Sequence, residues 1–541
     1  MARPVLILAD IGSHIAYRDK VIDELIARVK YYHIIRVNGT PASGKTTIME
    51  LMVNKLLNCD PATPVYIMSG WSRDDVRSYG WAAYLQAKTG IHGRQWLGHQ
   101  CYLLIDEAQQ SYWDDELWAD LFKAVDIASQ AYIVLFMCYG SPTRGFNGFD
   151  QGTYVKTPMT FRREQQISLR PDKKVSSSWK PVGLLLDEDE SNGVLDRYLP
   201  TFIPNCGAIV TQDLKKGFFI SSSGHVGLLT SLSQALSQLP ALATLVRSRR
   251  PISWSIASEA LFSDLKTFFD LISNLPFNRG LPPSHILQQH SSASILKVAI
   301  ACNGIYQSSF ANESAELRKA LENFWTNGWL HAERADNDDE DVHFVFASQI
   351  HCWYCQYLFT KRQFNNKIGY DSLLKLTIDA VKSFRPCQLS DAPRLLISNP
   401  APLEDQYQKE FYRCLFLLLD GHVVISPKFV IKTGTKGGTI DFLVAEKRWG
   451  LELLRDHDRL LQHMQRFEQG GQYFSMIEQG KMEQYVVLDF TDKMPQKSHA
   501  EFQGHLYHVV FSENYRAVRV INADLSEVEC FVLLENASPV H

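Results

Sequence analysis

One short segment, GTPASGKTT at residues 39–47, constrains the fold of this 541-residue chain more than any other. It fits the pattern GxxxxGK[ST] and lies between an apolar run at His33–Asn38, typical of a buried strand, and the helical pattern TIMELMVNKLL. Strand, glycine-rich turn and helix in this order form a phosphate-binding loop, because the glycines let backbone N–H groups surround a phosphate and the helix amino end adds a positive dipole. The segment predicts an α/β domain with a nucleotide site that includes Gly39, Ser43, Gly44, Lys45, Thr46 and Thr47.

The residues that would perform chemistry at this site follow from the same pattern. Lys45 is expected to reach the β- and γ-phosphates, and the Thr46 hydroxyl is expected to ligate Mg²⁺. About sixty residues later, the apolar strand CYLLI ends in Asp106 and Glu107. We expect Asp106 to hold Mg²⁺ through water and Glu107 to polarise the water that attacks the γ-phosphate. The predicted cofactors are therefore ATP or GTP and Mg²⁺.

Several other polar residues are candidates for contact with the nucleotide. Tyr139 and Ser141 follow the fourth apolar strand, where a γ-phosphate sensor could lie, although loop serines are usually turn formers. Arg162 belongs to an Arg-Arg pair and is a candidate for stabilising transition-state charge, although exposed arginines are common. The segment Gly224–Gly227 opens a helical run and contains His225, which indicates either a contact with the nucleotide or simple helix capping.

The phosphate loop, the strand ending in Asp106-Glu107 and the glycine-containing helix start resemble, in this order, the AAA+ and STAND branch of P-loop ATPases. The resemblance implies an ATPase core followed by a helical lid. Two further helical patterns, and two extended segments around an acidic turn at Asp336–Asp341, predict a winged helix. Because acidic residues repel DNA phosphates, we expect an interdomain module there. The predicted segments are 1–180 (core), 181–285 (lid), 286–370 (winged helix), 371–402 (proline-bearing linker) and 403–541 (carboxyl-terminal domain).

The carboxyl-terminal segment carries a second set of acids. Asp441 lies in the strand pattern TIDFLV, and Glu452 lies in the strand pattern WGLELL. A hairpin of suitable register brings these two side chains together. Carboxylates surrounded by apolar residues need a compensating partner, and Mg²⁺ is one, since it prefers oxygen ligands. Asp441 and Glu452 are therefore predicted metal ligands, whereas a half-buried hairpin with a salt-bridged helix is the alternative.

Helix, hairpin, Asp, Glu, helix and the strand YVVL together resemble the PD-(D/E)xK nuclease superfamily. The resemblance implies a small mixed sheet flanked by helices, with Glu410 of the first helix as a helper. The family's lysine two residues after the Glu is Leu454 here. Its role must pass to Arg455 through a strand end or bulge, to Lys432, or to the next helix. In that helix the spacing puts three side chains on one face: Arg459, His463 and Arg466.

Composition is compatible with DNA contact only locally. The formal net charge is -4, which excludes a basic coat over the whole chain. Residues 428–466, however, contain eight Lys or Arg and five Asp or Glu, which leaves three net positive charges beside the predicted acid pair. Because no run of about 18 apolar residues occurs, no membrane partner is expected. The sparse cysteines predict reduced core thiols, and Cys352 and Cys355 form a CxxC with no second pair to complete a zinc set.

The ATPase pattern joined to the strings TIDF and WGLELLRDHDRL, followed by His463 and Arg466-Phe467, resembles the Crinkler effector family of oomycetes and fungi. The resemblance implies a Mg²⁺-dependent DNA endonuclease whose NTP hydrolysis accompanies cleavage, delivered to the nucleus or cytoplasm of a host cell. Implied partners are double-stranded DNA, host nuclear proteins and a nucleotide-dependent oligomer. Neither the family's targeting header nor a signal peptide is visible at the amino terminus. Because Leu454 replaces the lysine, the alternative is a STAND-type switch whose nuclease-like domain only binds DNA or protein.

Overall fold

The structure is a computed structural model. It describes the following residues: 11–12, 14–139, 159, 161–203, 209–248, 250–262, 265–310, 312–334, 341–361, 368–386, 389, 404–419, 424–425, 440–444, 446–471 and 473–534. The chain forms two compact units. Unit 1 comprises Met1–Ile286 and Ile305–Tyr354, and unit 2 comprises Leu287–Gly304 and Cys355–His541. The five segments predicted from the sequence stay predictions.

Unit 1 is built on a parallel five-stranded sheet, which confirms the predicted α/β core. The sheet has the order β2-β3-β4-β1-β5. Its strands are β1 (Ile34–Asn38), β2 (Val65–Ser69), β3 (Tyr102–Asp106), β4 (Tyr132–Met137) and β5 (Gln166–Ile167). Residues of β3 and β4 are almost all buried, as expected for parallel strands covered by helices on both faces.

Helices cover this sheet, and each buries one of its own faces against it. Helix α1 (Asp19–Tyr32) buries Val21, Leu25 and Val29, whose spacing of four residues defines one face. Helix α2 (Lys45–Cys59) begins directly after Gly44, whose φ of 91° ends the phosphate loop in a left-handed conformation. Two further helices follow β2: α3 (Arg73–Tyr79) and α4 (Trp81–Thr89).

A helical region and a small sheet complete unit 1. The helices are α5 (Glu188–Tyr198), α6 (Gln212–Ser222), α7 (Val226–Ser237), α8 (Pro240–Arg247), α9 (Trp254–Phe262), α10 (Leu265–Ile272) and α12 (Ala315–Thr326). The antiparallel sheet has the order β6-β8-β7, with β6 at Ile305–Tyr306, β7 at His331–Arg334 and β8 at Val342–Val345. The strands β7 and β8 are the pair expected around the acidic turn, but of that turn only Asp341 lies within the described residues.

Unit 2 contains a mixed seven-stranded sheet of order β15-β14-β13-β12-β11-β10-β9. The strands are β9 (Val424–Ile425), β10 (Phe442–Val444), β11 (Trp449–Arg455), β12 (Gln484–Thr491), β13 (Leu506–Ser512), β14 (Ala517–Asn522) and β15 (Glu527–Val532). Strands β11, β12 and β13 are parallel, and the other neighbours are antiparallel. The helices are α11 (His290–Ala301), α14 (Leu373–Lys382), α15 (Glu404–Leu418), α16 (Leu460–Gln465) and α17 (Phe474–Glu478); α13 (Gln349–Lys361) includes the boundary between the units.

The two faces of this sheet are covered by different helices. Phe411 of α15 packs on Phe442 and Phe490, so α15 lies on the face to which those two rings point. Met464 of α16 packs with Leu454, whose side chain points to the other face because side chains alternate along β11. None of the helices in the described part of the chain is long and apolar enough to cross a membrane.

Candidate functional sites

The phosphate loop of unit 1 is held by close backbone contacts. A Cβ on Gly39 would lie 2.5 Å from the Ser43 hydroxyl oxygen, so a larger residue there would force the Ser43 side chain to move. The Lys45 ammonium donates to the carbonyl oxygens of Gly39 at 2.8 Å and Thr40 at 3.1 Å. In the described part of the chain, the buried Ser43 hydroxyl and the buried Asn38 amide oxygen have no hydrogen-bond partner. Buried polar atoms are normally paired, so these two fit a site that takes a polar ligand.

The predicted magnesium ligands lie together at the carboxyl edge of the sheet. The Thr46 hydroxyl donates to the Asp106 carboxylate at 2.9 Å, and the other oxygen of that carboxylate accepts from the Glu107 N–H at 3.0 Å. Hydroxyl and carboxylate oxygens at this separation suit Mg²⁺, which prefers hard oxygen ligands. Glu107, the next residue along the chain, has a φ of 50°, an uncommon conformation for a residue with a side chain.

Two residues that sequence reasoning missed complete this edge. The Gln109 amide donates to the Glu107 carboxylate, and its oxygen accepts from the Cys138 N–H at 3.1 Å. The Cys138 sulfur lies 3.6 Å from the Lys45 ammonium and 3.9 Å from the Glu107 carboxylate. Burial raises the pKa of this thiol, with Lys45 opposing the rise, so the group is a neutral thiol. Cys138 directly follows β4, and the rule that selected Asp106 after β3 could have found it.

Of the two predicted phosphate sensors, only Tyr139 belongs to the described residues. Ser141 lies outside the described residues. The Tyr139 carbonyl oxygen accepts from the Tyr112 hydroxyl at 2.8 Å, and the Tyr139 ring packs against the rings of Tyr112 and Trp325. These contacts assign Tyr139 a packing role, and it is the preceding residue, Cys138, that lies beside the phosphate-loop lysine.

The predicted glycine-containing helix start contacts the phosphate loop. His225 caps α7: its Nδ1 accepts from the Leu228 N–H at 3.3 Å, and its Nε2 lies 3.3 Å from the Thr40 hydroxyl. Gly227 donates its N–H to the Ala42 carbonyl oxygen at 3.1 Å. Burial, and secondarily the Lys45 charge, lower the pKa of His225 to about 4, so the ring is neutral near pH 7. His225 is thus a helix cap at the point where α7 meets the phosphate loop, and its predicted contact with the nucleotide stays a prediction.

Arg162 is exposed and lies at the amino end of a short 3-10 turn, Arg163–Gln165. The adjacent Arg163 is paired with Asp172 at 2.6 Å. A role for Arg162 at the γ-phosphate stays a prediction.

The predicted acid pair of unit 2 is brought together by hairpin register. Phe442 of β10 pairs with Leu451 of β11, and continuing this register places Asp441 opposite Glu452. The Asp441 N–H points to the Glu452 carboxylate at 3.4 Å, and the Asp441 carboxylate accepts from the Leu453 N–H at 2.8 Å. Two carboxylates on neighbouring strands are the oxygen donors that a Mg²⁺ ion would use.

Glu452 is also the centre of a cluster from the following helices, which we call the Glu452 cluster (Asp441, Glu452, His463, Arg466 and Tyr473). Its carboxylate is 2% exposed and lies 2.9 Å from His463 Nδ1 and 2.5 Å from the Arg466 guanidinium. The Tyr473 hydroxyl donates to it at 3.1 Å. Burial and the Glu452 charge raise the pKa of Tyr473, so its hydroxyl remains a donor. Of the alternatives for the missing lysine, the next helix supplies the side chains that reach Glu452, whereas Lys432 lies outside the described residues.

Of the residues predicted for catalysis, the helper Glu410 and the basic residue Arg455 lie on the opposite face of the sheet from this cluster, whereas the second predicted helper, His463, belongs to it. Glu410 belongs to α15, and its carboxylate accepts from Arg413 at 2.6 Å and from the Arg385 N–H at 2.6 Å. Arg455 continues β11 with its side chain on the face opposite Glu452, and it pairs with Asp456 at 2.9 Å. A bulge that would bring Arg455 to the Glu452 side is not present in the regular pairing of β11 with β12. In the described part of the structure, neither Glu410 nor Arg455 contacts Asp441 or Glu452. The catalytic roles of these two residues stay predictions.

Comparison with known proteins found solved structures that are similar to part of this chain. No family model and no curated protein matches the chain. A Walker-type ATPase of Pyrococcus abyssi is 13% identical, covers 63% of this chain and 96% of its own, and has a TM-score of 0.35. The RuvB Holliday junction branch migration motor of Thermotoga maritima is 14% identical over 60% of this chain and 91% of its own, with a TM-score of 0.28. Drosophila ORC, solved bound to DNA, is 9% identical over 64% and 88%, with a TM-score of 0.29.

Proposed function

We propose that the phosphate-loop site of unit 1 binds and hydrolyses ATP or GTP with Mg²⁺. The observation that carries this proposal is the Thr46 hydroxyl on the Asp106 carboxylate at 2.9 Å, beside Glu107 and below a glycine-rich loop. Thr46 and Asp106 would hold the ion, which neutralises charge on the phosphates. Glu107 would take a proton from the attacking water. Lys45 would exchange its two carbonyl acceptors for phosphate oxygens when a nucleotide enters.

Substitution of Lys45 tests this activity. We expect Lys45→Ala to abolish phosphate release from ATP and to weaken nucleotide binding, since the ammonium would otherwise contact the phosphates. Lys55→Ala is the matched control, because Lys55 lies on the same helix and pairs with Asp23 at the surface. Equal phosphate release by the parent and Lys45→Ala, with Lys55→Ala also unchanged, would contradict the proposed nucleotide chemistry.

We also propose that the Glu452 cluster hydrolyses DNA phosphodiester bonds with Mg²⁺. Support comes from the opposed carboxylates of Asp441 and Glu452, with His463 and Arg466 arriving from the next helix. The two acids would hold the ion, which polarises the phosphate and activates water. Arg466 is one-third exposed, so its guanidinium has room to grip a phosphate oxygen.

A binding role for the same domain is favoured by a different observation. Glu452 already accepts from His463, Arg466 and Tyr473, so an ion must compete with three donors for this carboxylate. Leu454, where the nuclease pattern has lysine, is 2% exposed and packs with apolar neighbours. The second candidate is therefore a nucleotide-controlled switch whose carboxyl-terminal domain binds DNA or protein without cleaving it.

Incubation of plasmid DNA with the full chain, Mg²⁺ and ATP separates the two candidates. A nuclease predicts cleavage by the parent, no cleavage by Asp441→Ala, and normal cleavage by Asp458→Ala, whose acid is exposed and pairs with Arg459. No cleavage by any of the three, with plasmid still bound in a gel-shift assay, would favour the switch. Equal cleavage by the parent and Asp441→Ala would point to a contaminating nuclease.

The proposed coupling between nucleotide hydrolysis and DNA cleavage is motivated by the presence of both sites in one chain. It predicts that Lys45→Ala changes the ATP response of plasmid cleavage. Action on double-stranded DNA in a host nucleus or cytoplasm, contact with host nuclear proteins and nucleotide-dependent oligomerisation belong to the same proposal. They rest on the resemblance to Crinkler effectors that the ATPase and TIDF patterns carry.

A further inference from the structure

Three metal-ligating side chains meet in unit 2 outside the Glu452 cluster: His457, Asp489 and His508, which we call the His-Asp-His site. One ligand atom from each lies within 4.8 Å of the other two. The His508 Nδ1 is 2.7 Å from an Asp489 carboxylate oxygen, and the His457 Nδ1 contacts the same oxygen. The His457 and His508 rings have centroids 5.3 Å apart.

The fold brings these residues together from three elements. Asp489 of β12 pairs directly with His508 of the parallel neighbour β13, so both side chains point to the same face. His457 belongs to the turn after β11, and its N–H donates to the second Asp489 oxygen at 2.9 Å. In this turn Asp456 has a φ of 51° and His457 a φ of 60°, uncommon values for residues with side chains. The turn thus holds His457 over the buried carboxylate.

Among the described residues, the hydrogen bonds of the His-Asp-His site leave one of its buried polar atoms without a partner. Asp489 is fully buried and His508 is 1% exposed. Within the described residues, the second nitrogen of His508, Nε2, is buried without a hydrogen-bond partner. The Asp489 carboxylate brings negative charge into a buried position, and a divalent cation bound there would compensate it.

The donor set points to the class of ion. Two imidazole nitrogens and one carboxylate oxygen suit zinc and neighbouring transition metals, whereas Mg²⁺ prefers oxygen alone. Ligand distances of about 2.0–2.1 Å in a tetrahedral zinc site place the ligand atoms roughly 3.3 Å apart. The distance from His508 Nδ1 to the Asp489 oxygen is 2.7 Å, that from His457 Nδ1 is shorter, and all three ligand atoms lie within 4.8 Å of one another, so the present separations lie on both sides of this value. The His457 side chain is 41% exposed, which gives an ion access from solvent.

We propose that His457, Asp489 and His508 bind one divalent transition-metal ion of the zinc class. Three protein ligands leave a fourth coordination position for water or another small ligand. The ion would join β12 and β13 to the turn that precedes α16. This site is distinct from the Mg²⁺ sites proposed at Asp106 and at Asp441 with Glu452, and it does not depend on either activity.

Zinc binding by the full chain, measured by competition with a chromophoric chelator after metal removal, tests the proposal. We expect the parent to bind one equivalent of Zn²⁺ tightly in the presence of excess Mg²⁺. His457→Ala should bind it more than about 100-fold more weakly, because loss of even an outer-shell partner costs about 10–100-fold. His505→Ala is the matched control, since His505 is an exposed histidine of the same unit whose Nδ1 lies 3.1 Å from the Tyr485 carbonyl oxygen.

Two further measurements distinguish loss of the ion from loss of the fold. The metal-free His457→Ala variant should still unfold in one cooperative transition, at a lower temperature than the metal-free parent, because the buried Asp489 carboxylate keeps His508 but loses one partner. Bound Co²⁺ should give visible absorption bands in the parent and lose them in His457→Ala. Failure of the parent to bind Zn²⁺, or equal binding by the parent and His457→Ala, would overturn the proposal. So would loss of Zn²⁺ from Glu452→Gln alone, because the ion would then occupy the Glu452 cluster.

Discussion

Protonation of His225 is expected to destabilise unit 1 in mild acid. The ring accepts a hydrogen bond from the Leu228 N–H through Nδ1, so a proton on this nitrogen would put two donors face to face. The ring is fully buried, and its nearest charged neighbour with an electrostatic effect is the Lys45 ammonium, which also disfavours a cation. The neutral ring is thus required where α7 meets the phosphate loop.

The magnitude follows from the lowered pKa. The folded protein holds the pKa of His225 at about 4, against an ordinary value of 6.5. A lowered histidine pKa contributes stability that is complete above pH 6.5 and is lost as the pH falls toward 4, because the unfolded chain then binds the extra proton. Between pH 7.5 and pH 5, this group alone should reduce the free energy of unfolding by about 2 kcal/mol.

Urea denaturation followed by tryptophan fluorescence measures this effect in unit 1, because ten of the eleven tryptophans lie there and only Trp449 lies in unit 2. His225→Asn keeps a helix-capping oxygen and removes the titrating ring. We expect the loss of stability from pH 7.5 to pH 5 to be about 2 kcal/mol smaller in His225→Asn than in the parent. His99→Asn, at an exposed histidine, should behave like the parent. The same pH dependence in His225→Asn and the parent would refute the linkage to His225.

Three other substitutions test single contacts. Gly227→Ala would place a Cβ 2.6 Å from a carbonyl oxygen of the phosphate loop, so binding of a fluorescent ATP analogue should weaken by about tenfold or more, roughly 1.4 kcal/mol. Gln109→Leu removes the donor to Glu107, and steady-state phosphate release should show a lower kcat with little change in nucleotide affinity. Arg413→Leu leaves the buried Glu410 carboxylate without its ion pair, and unit 2 should lose about 3–5 kcal/mol, seen as faster hydrogen exchange of α15.

The elements of the nucleotide site were predictable because their signals are local. The strand expected at His33–Asn38 is observed at Ile34–Asn38, and the helix begins at Lys45, directly after a glycine with positive φ. Apolar runs of five or six residues and a glycine-rich turn depend only on neighbours in sequence. Gln109 and Cys138 were missed because their importance lies in a contact between two strand ends, with 28 residues of chain between them.

The hairpin of unit 2 was also predictable from local sequence signals. The side chains that surround Glu452 were not, because their contacts depend on tertiary packing. Asp441 and Glu452 are eleven positions apart, and a short antiparallel connection fixes which residues face each other. The basic role predicted for Arg455 depended on a strand end or bulge, whereas the strand is regular through this residue. The side chains that do reach Glu452 come from His463 and Arg466, whose helical spacing was visible but whose contact depends on how α16 packs.

Leu454 shows how tertiary pairing changes the meaning of a sequence departure. Compared with the nuclease pattern, it removes one positive charge from β11. In the sheet, its neighbour on β12 is Asp489, and the neighbour of Asp489 on β13 is His508, so the next two positions across the same face are ionisable. Parallel pairing places Leu454 beside Asp489, which lies 35 positions later, and Asp489 beside His508, which lies another 19 positions later. No short stretch of the sequence contains both members of either pair. The face that loses a lysine therefore carries the proposed His-Asp-His site, whose ligands come from two strands and a turn rather than from one motif.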